Sequence, residues 1–140
     1  MTLILDSSVT LAWIYGDETT DAIRRVFAIV ADHGALVPSL WRLEVANSLT
    51  MAVRRRRIEA DFRQAALTDL ACLDITTDPH TDGRAWSDTL RLADQFRLTV
   101  YDAAYLELAQ RVGLPLATLD QALRGAASAL GVTLLGLADP

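Results

Sequence analysis

The sequence predicts an α/β protein, a three-layer α/β/α sandwich around a mainly parallel five-stranded sheet. Two observations carry this. Five short apolar runs, TLIL (2–5), ALVP (35–38), LDITT (73–77), LPLATLD (114–120) and VTLLGL (132–137), have the length of buried strands. They alternate with longer segments of helical periodicity, and strand and helix in turn mean a parallel sheet covered on both faces. In such sheets, ligands bind beyond the carboxyl ends of the strands.

Taken in order, the first strand stops at Asp6, and helical turns follow through Ser8–Tyr15. ETTDAIRRVFAIVA (18–31) is amphipathic, with Ile23, Phe27 and Val30 on one face. His33-Gly34 ends that helix, because glycine readily takes the left-handed cap conformation. Pro38 stops the second strand. One helix then runs from Leu40 to about Arg56 and another from about Glu59 to Cys72. After the third strand, residues 81–96 read as a helix carrying Ala85, Leu92 and Phe96. VYDAAYLELAQRVG (100–113) is a helix with a Gly113 stop, and 121–130 is a short helix between the last two strands. No repeat, low-complexity tract or linker marks a boundary, so residues 1–140 read as a single domain long enough to bury a core.

Composition excludes several function classes. No apolar run approaches the roughly 20 residues needed to span a bilayer. The first charge is Asp6, with no basic stretch before it, so the mature chain is read as starting at Met1 in the cytoplasm, with no membrane partner. Cys72 stands alone, and His33 and His80 fall in loops without partners, which leaves no cysteine or histidine metal cluster. The net charge of −5 argues against holding nucleic acid by bulk positive potential, but not against a nuclease whose acids are neutralised by metal. All 13 basic residues are arginine, which rules out any mechanism that needs a lysine.

Most of the 18 acids sit on solvent stripes or in first helical turns, where they offset the helix dipole. Four do not. Asp6 and Asp120 end two strands, where each is either an N-cap for the next helix or a wall of one shared pocket. Glu44 lies in LWRLEVANSLTMAV, apolar nearly all round, and with Asn47 and Ser48 makes a narrow polar notch at i, i+3, i+4. Asp102 falls off the stripe formed by Glu107, Gln110 and Arg111, which reads as the solvent face of its helix. Converged carboxylates repel and take up protons unless a cation joins them. An all-oxygen set is the choice of a hard divalent ion, Mg²⁺ or Mn²⁺, and suits metal-activated hydrolysis of a phosphodiester.

With these residues placed, the chain resembles the PIN-domain ribonucleases, and most closely the VapC-type toxins of toxin–antitoxin pairs. The likeness spans essentially the whole chain: LDSSV, LWRLEVANSL, the block LTVYDAAYLELAQRVGLPLATLD, and GVTLL. It implies that Asp6, Glu44, Asp102 and Asp120 form the acidic metal site. Ser8, Asn47 and Thr118 match positions that support the acids or orient substrate. It also implies a five-stranded parallel sheet, a homodimer, and a cognate VapB-type antitoxin whose tail lies in an apolar groove. Trp13, Trp41 and the 18–31 and 40–53 helices could line that groove, or the tryptophans could be core.

Arg54-Arg55-Arg56-Arg57 is either a solvated helix end that complements the dipole or a grip on an RNA backbone. Receiver-type phosphoacceptors and haloacid-dehalogenase-like phosphatases also place acids at strand ends, but both need an active-site lysine. There is no G-x-x-x-x-G-K-[ST] and no G-x-G-x-x-G. The reading is therefore an Mg²⁺- or Mn²⁺-dependent endoribonuclease toxin with RNA as substrate. The alternative is a PIN-like module that binds RNA or protein without cutting.

Overall fold

In the computed structural model, which describes residues 2–137, five very short strands pair in the order β3-β2-β1-β4-β5, all parallel. They are β1 (Ile4–Leu5), β2 (Ala35–Val37), β3 (Ile75–Thr77), β4 (Leu116–Ala117) and β5 (Leu134–Leu135). Met1, read as the start of the mature chain, and residues 138–140 lie outside the described part. The apolar runs are longer than the ladders, although backbone hydrogen bonds continue just past them, from the Asp6 N–H to Ala117 and from the Thr118 N–H to Leu135. Around the sheet lie α1 (Ser7–Ile14), α2 (Asp21–His33), α3 (Trp41–Arg54), α4 (Ala60–Ala71), α5 (Thr81–Arg84), α6 (Asp88–Phe96), α7 (Val100–Val112) and α8 (Gln121–Ala129). The architecture is the expected α/β/α sandwich.

Two helical groups enclose the strands: α1 packs on α2 and α3, with α4 on α3, while α6 and α8 pack on α7. Leu3, Ile4 and Leu5, fully buried, form the centre of the core with Leu116 and Ala117 from the neighbouring strand. Ala103 to Ala109 are all buried in α7, which lies against β1 and β4. The turn from α2 to β2 needs Gly34, whose φ of 76° and ψ of −179° suit a residue without a Cβ. A Cβ there would sit 2.7 Å from the Asp74 carbonyl oxygen, which pairs with the N–H of Ala35. Among the described residues, no helix is long and apolar enough to cross a membrane.

Two sequence expectations are corrected. The 81–96 helix is broken into α5 and α6, because its first turn is tied elsewhere. Thr81 Oγ1 accepts the Ser39 N–H and donates to Asp78, whereas α6 packs on α7, and the chain changes direction at Ser87. Glu107 is not on a solvent stripe: it is 5 % exposed. Arg111 Nε donates to Glu107 Oε1 at 2.7 Å, and its Nη2 donates to Asp78 Oδ2 at 2.7 Å. This buried triad ties the end of α7 to the end of β3, and the spacing that read as solvent face is its scaffold.

Burial pushes the Asp78 carboxyl up, but the hydrogen bonds from Arg111 outweigh that together with those from the His80 backbone and Thr81, and hold it below its ordinary value. Its stabilising share is therefore present above the ordinary 3.8 and is lost as pH falls through the depressed value. Arg111→Met strands two buried carboxylates and should cost about 3–5 kcal/mol in urea unfolding. Adding Asp78→Asn and Glu107→Gln should restore much of the loss; equal stability of Arg111→Met and wild type would show the triad to be idle.

Candidate active site

Strand order reverses between β1 and β4, the switch point of an open parallel sheet. Leu5 pairs with Ala117, so the residues just past both strands enter one crevice. Asp6, 3 % exposed, does not cap α1 with its side chain. Instead its Oδ2 accepts the Ser8 hydroxyl at 2.6 Å and the Thr118 hydroxyl at 2.7 Å. Ser8 Oγ in turn accepts the Leu119 N–H at 3.0 Å, and Thr118 Oγ1 accepts the Asp120 N–H at 3.1 Å. Asp120 does cap: its Oδ2 takes the Leu123 N–H at 2.8 Å. Capping thus explains one oxygen of Asp120 and nothing of the Asp6 side chain.

Glu44 stands half-buried in the first turn of α3, where Tyr105 donates its hydroxyl to Oε1 at 2.6 Å. Tyr105 is fully buried in α7, three residues after Asp102 and so on the same face. Asp102 is not the cap of α7; Thr99 is, with its hydroxyl oxygen accepting the Asp102 N–H at 3.1 Å. The Asp102 carboxylate is left half-buried among the other acids.

Electrostatics show that the four acids share one neighbourhood. Burial, opposed by Ser8 and Thr118, and the charge of Asp120 leave Asp6 above its ordinary value. Burial raises Glu44 against the Tyr105 hydrogen bond, and the charges of Asp6 and Asp102 raise it further. Burial and the charges of Asp120 and Asp6 push Asp102 up to about 6. Burial with the Asp6 and Glu44 charges keeps the Tyr105 hydroxyl protonated at any working pH, so it can only donate to Glu44. No ion pair among the described residues involves any of these four carboxylates. Nearby Arg124 spends its guanidinium on the carbonyls of Thr118 and Leu135.

The other sequence-predicted residues divide. Ser8 and Thr118 touch Asp6, and Asn47 is exposed one helical turn beyond Glu44. The arginine run leaves the acid cluster and wraps the end of α3. Arg56 takes the left-handed conformation (φ 61°), so that its N–H reaches the Val53 carbonyl and the Arg57 N–H reaches that of Ala52. This turn sends Arg57 back over the Tyr15 ring, 3.8 Å from its centroid. Sequence reasoning misses Tyr105 and Thr99, although the three-residue spacing from Tyr105 to Asp102 was a signal. Trp41 is core, donating to Thr10, whereas half-buried Trp13 faces an apolar cavity of about 420 Å³ with Phe27, Phe62 and Leu70.

Oxygen donors without histidine or cysteine, carrying unpaired negative charge, fit a hard divalent cation. No three such side chains among the described residues close on one ion.

Comparison with known proteins gives the family and the fold. The profile of one family, described as the PIN domain, matches residues 3–128. Ribonuclease VapC3 from Pyrobaculum aerophilum is 31 % identical over 123 residues, which cover 88 % of this chain and 92 % of the relative. PAE2754 from Pyrobaculum aerophilum superposes with a TM-score of 0.65 at 22 % identity, over 96 % of this chain and 89 % of its own. FitAcB from Neisseria gonorrhoeae gives 0.65 at 12 % identity, covering 94 % and 95 %. The sarcin-ricin loop cleaving toxin VapC20 from Mycobacterium tuberculosis gives 0.61 at 15 % identity, covering 89 % and 95 %. At those identities the three structures speak for the fold.

A raised carboxyl reverses the sign found for Asp78. The folded protein binds the extra proton between the ordinary 3.8 and about 6, so without metal its stability should fall as pH rises through that window. A shift of that size corresponds to about 3 kcal/mol, which screening at a half-exposed group reduces to about 1 kcal/mol. Asp102→Asn should therefore stabilise the metal-free protein at pH 8 by about 1 kcal/mol and flatten the window. Thermal unfolding across pH checks this; an unchanged profile in the variant would refute the raised Asp102 carboxyl.

Proposed function

Because the chain belongs to the PIN domain family and is a relative of the VapC ribonucleases, we propose that it is a toxin that cuts RNA internally with the help of Mg²⁺ or Mn²⁺. One observation carries the proposal: acids from four distant segments come together, and burial and one another's charge raise the proton affinity of Asp6, Glu44 and Asp102 with no cationic side chain among them. A surface that merely bound RNA would have no use for such concentrated negative charge. When bound, the ion supplies a more acidic water for in-line attack on a phosphodiester and offsets charge building on the phosphoryl oxygens.

The residues of the chain divide the remaining work. Asp6, Glu44, Asp102 and Asp120 would hold the ion. Ser8 and Thr118 fix one oxygen of Asp6 and so aim the other, and Tyr105 does the same for Glu44. Asp120 keeps its orientation through the Leu123 N–H. Asn47, exposed one helical turn from Glu44, would orient the substrate. Cleavage in this manner leaves a 5′-phosphate and a 3′-hydroxyl.

The reading includes partners and place. An antitoxin tail of apolar character fits the cavity between α1, α2 and α4, where Phe27 and Phe62 stay exposed and α4 has no buried residue. The exposed Leu43, Trp86 and Tyr101 offer contacts for a homodimer. The cytoplasm is the compartment in which such a toxin meets its RNA.

Asp6→Asn should abolish cleavage with the fold intact, as should excess EDTA, and added Mg²⁺ or Mn²⁺ should restore the EDTA-treated wild type. Tyr105→Phe should cost about 10–100-fold in activity or metal affinity, because it frees Glu44 without removing it. Expression in a bacterium, wild type beside Asp6→Asn, with mapping of RNA 5′ ends, gives the decisive comparison. Full activity in EDTA or in Asp6→Asn would overturn the metal site, and growth arrest by neither would overturn the toxin reading.

A further inference from the structure

A second cavity, of about 500 Å³, opens beside the acids and has walls from α1, α3 and the end of the arginine run. Its volume lies in the range of small-ligand sites. Ser8 and Asn47 form the end nearest the acids, and Ser8 is the residue that hydrogen-bonds Asp6. Leu11, Tyr15 and Met51 give it an apolar floor. Arg55 and Arg57 line it together with Glu18, while Arg54 and Arg56 do not. In a chain with a net charge of −5, this is a specific placement of positive charge.

The two lining arginines differ. Arg57 is fixed: it lies over the Tyr15 ring and pairs with Asp17 at 3.5 Å and Glu18 at 3.7 Å. Its side chain is nevertheless 45 % exposed, so a held guanidinium still faces outward. Flat guanidinium groups of this kind stack nucleobases. Arg55 caps α3, is exposed, and makes no salt bridge among the described residues, so its charge remains available for a phosphate. The left-handed turn at Arg56 separates these roles by aiming its neighbours at the cavity, at the steric cost of a non-glycine residue there.

We infer that this cavity is the subsite for the RNA nucleotide flanking the scissile phosphodiester, with Arg55 on its phosphate, Arg57 against its base and Asn47 on a polar edge. The inference rests on the ribonuclease reading, which it deepens by giving the substrate a side of approach and by dividing the arginine run. Single-stranded or looped RNA fits, since a paired base could not enter a pocket of this kind. An apolar peptide does not fit as well, because the polar end at Ser8 and Asn47 and the free charge of Arg55 would go unpaired.

Binding of a short fluorescein-labelled, mixed-sequence single-stranded RNA can be measured in Mg²⁺ buffer on the Asp102→Asn background, over a range of salt. Arg55→Ala should weaken it several-fold and lower the slope of log affinity against log salt by about 0.7, one phosphate contact. Arg54→Ala, and Arg56→Gly as the relief of the left-handed turn, should leave the slope unchanged. Met51→Trp, which fills the floor, should weaken binding without changing the slope. Arg55→Ala and Met51→Trp in the otherwise wild-type chain should raise KM for RNA cleavage while kcat holds. An active wild type with Arg55→Ala and Met51→Trp cutting and binding like it would overturn the subsite and leave the nuclease standing. An equal effect of Arg54→Ala would reduce the arginines to a diffuse field and also overturn the subsite. A wild type that never cuts RNA would overturn the nuclease and with it the place of this cavity beside a scissile bond, even where Arg55→Ala weakens RNA binding.

Discussion

Two short hydrogen bonds to one oxygen of Asp6 organise the carboxyl edge of this protein. Ser8 donates from the start of α1 and Thr118 from the end of β4, so a single buried carboxylate joins the first strand to a strand more than a hundred residues later. The same two hydroxyls then receive the N–H groups of Leu119 and Asp120, and this settles the path of the chain from β4 into α8. A hydroxyl both donates and accepts, which lets one pair of side chains fix an acid and a backbone turn together. Alanine at either place would leave a buried oxygen short of a donor and a loop without its anchor.

The edge is built at a cost in stability. Like charges gathered in a half-buried crevice raise one another's proton affinity, and the folded state carries that strain at neutral pH. The compensation lies elsewhere. The Asp78–Arg111–Glu107 triad is also buried and also stands at a strand end, yet there the arginine is supplied by the chain. Both aspartates follow the carboxyl ends of parallel strands, and they differ in that Asp78 meets an arginine whereas Asp6 meets only hydroxyls.

The surfaces around the edge follow the same division. Helix α1 has the acids at its start, and each of two cavities is lined partly by its residues: an apolar one facing α2 and α4, and a mixed one facing α3 and the arginines. Ser8 belongs both to the Asp6 anchor and to the mixed cavity, so whatever enters that cavity is in reach of the acids. In the apolar cavity Trp13 is held edge-on to Phe27 and by its indole N–H to the Ile23 carbonyl. That firm wall gives a partner a preformed surface, with little side-chain entropy left to lose on binding.

Local pattern sufficed for the strands, for most helices and for the four odd acids. Short apolar runs between amphipathic segments specify a parallel α/β sandwich, because a strand buried on both faces must be apolar and its crossover must be helical. Glu44 was legible as a charge in a helix apolar nearly all round, whereas Asp102 was singled out against a supposed solvent stripe that includes the buried Glu107. What sequence periodicity could not supply was the partner of each polar group. Glu107 and Arg111 read as a solvent stripe, since spacing records which residues share a face and not what covers that face. Nothing local separates Asp78 from Asp6, and only the approach of α7 gives one an arginine while Ser8 and Thr118 give the other hydroxyls. The arginine run, four identical residues in sequence, became distinct only when a left-handed turn at Arg56 laid Arg57 on Tyr15 and turned Arg55 to the cavity. The sequence alone determined the layers, the strand ends and the identity of the acids. The tertiary structure decided which charges were neutralised, because pairing depends on distances between segments far apart in the chain.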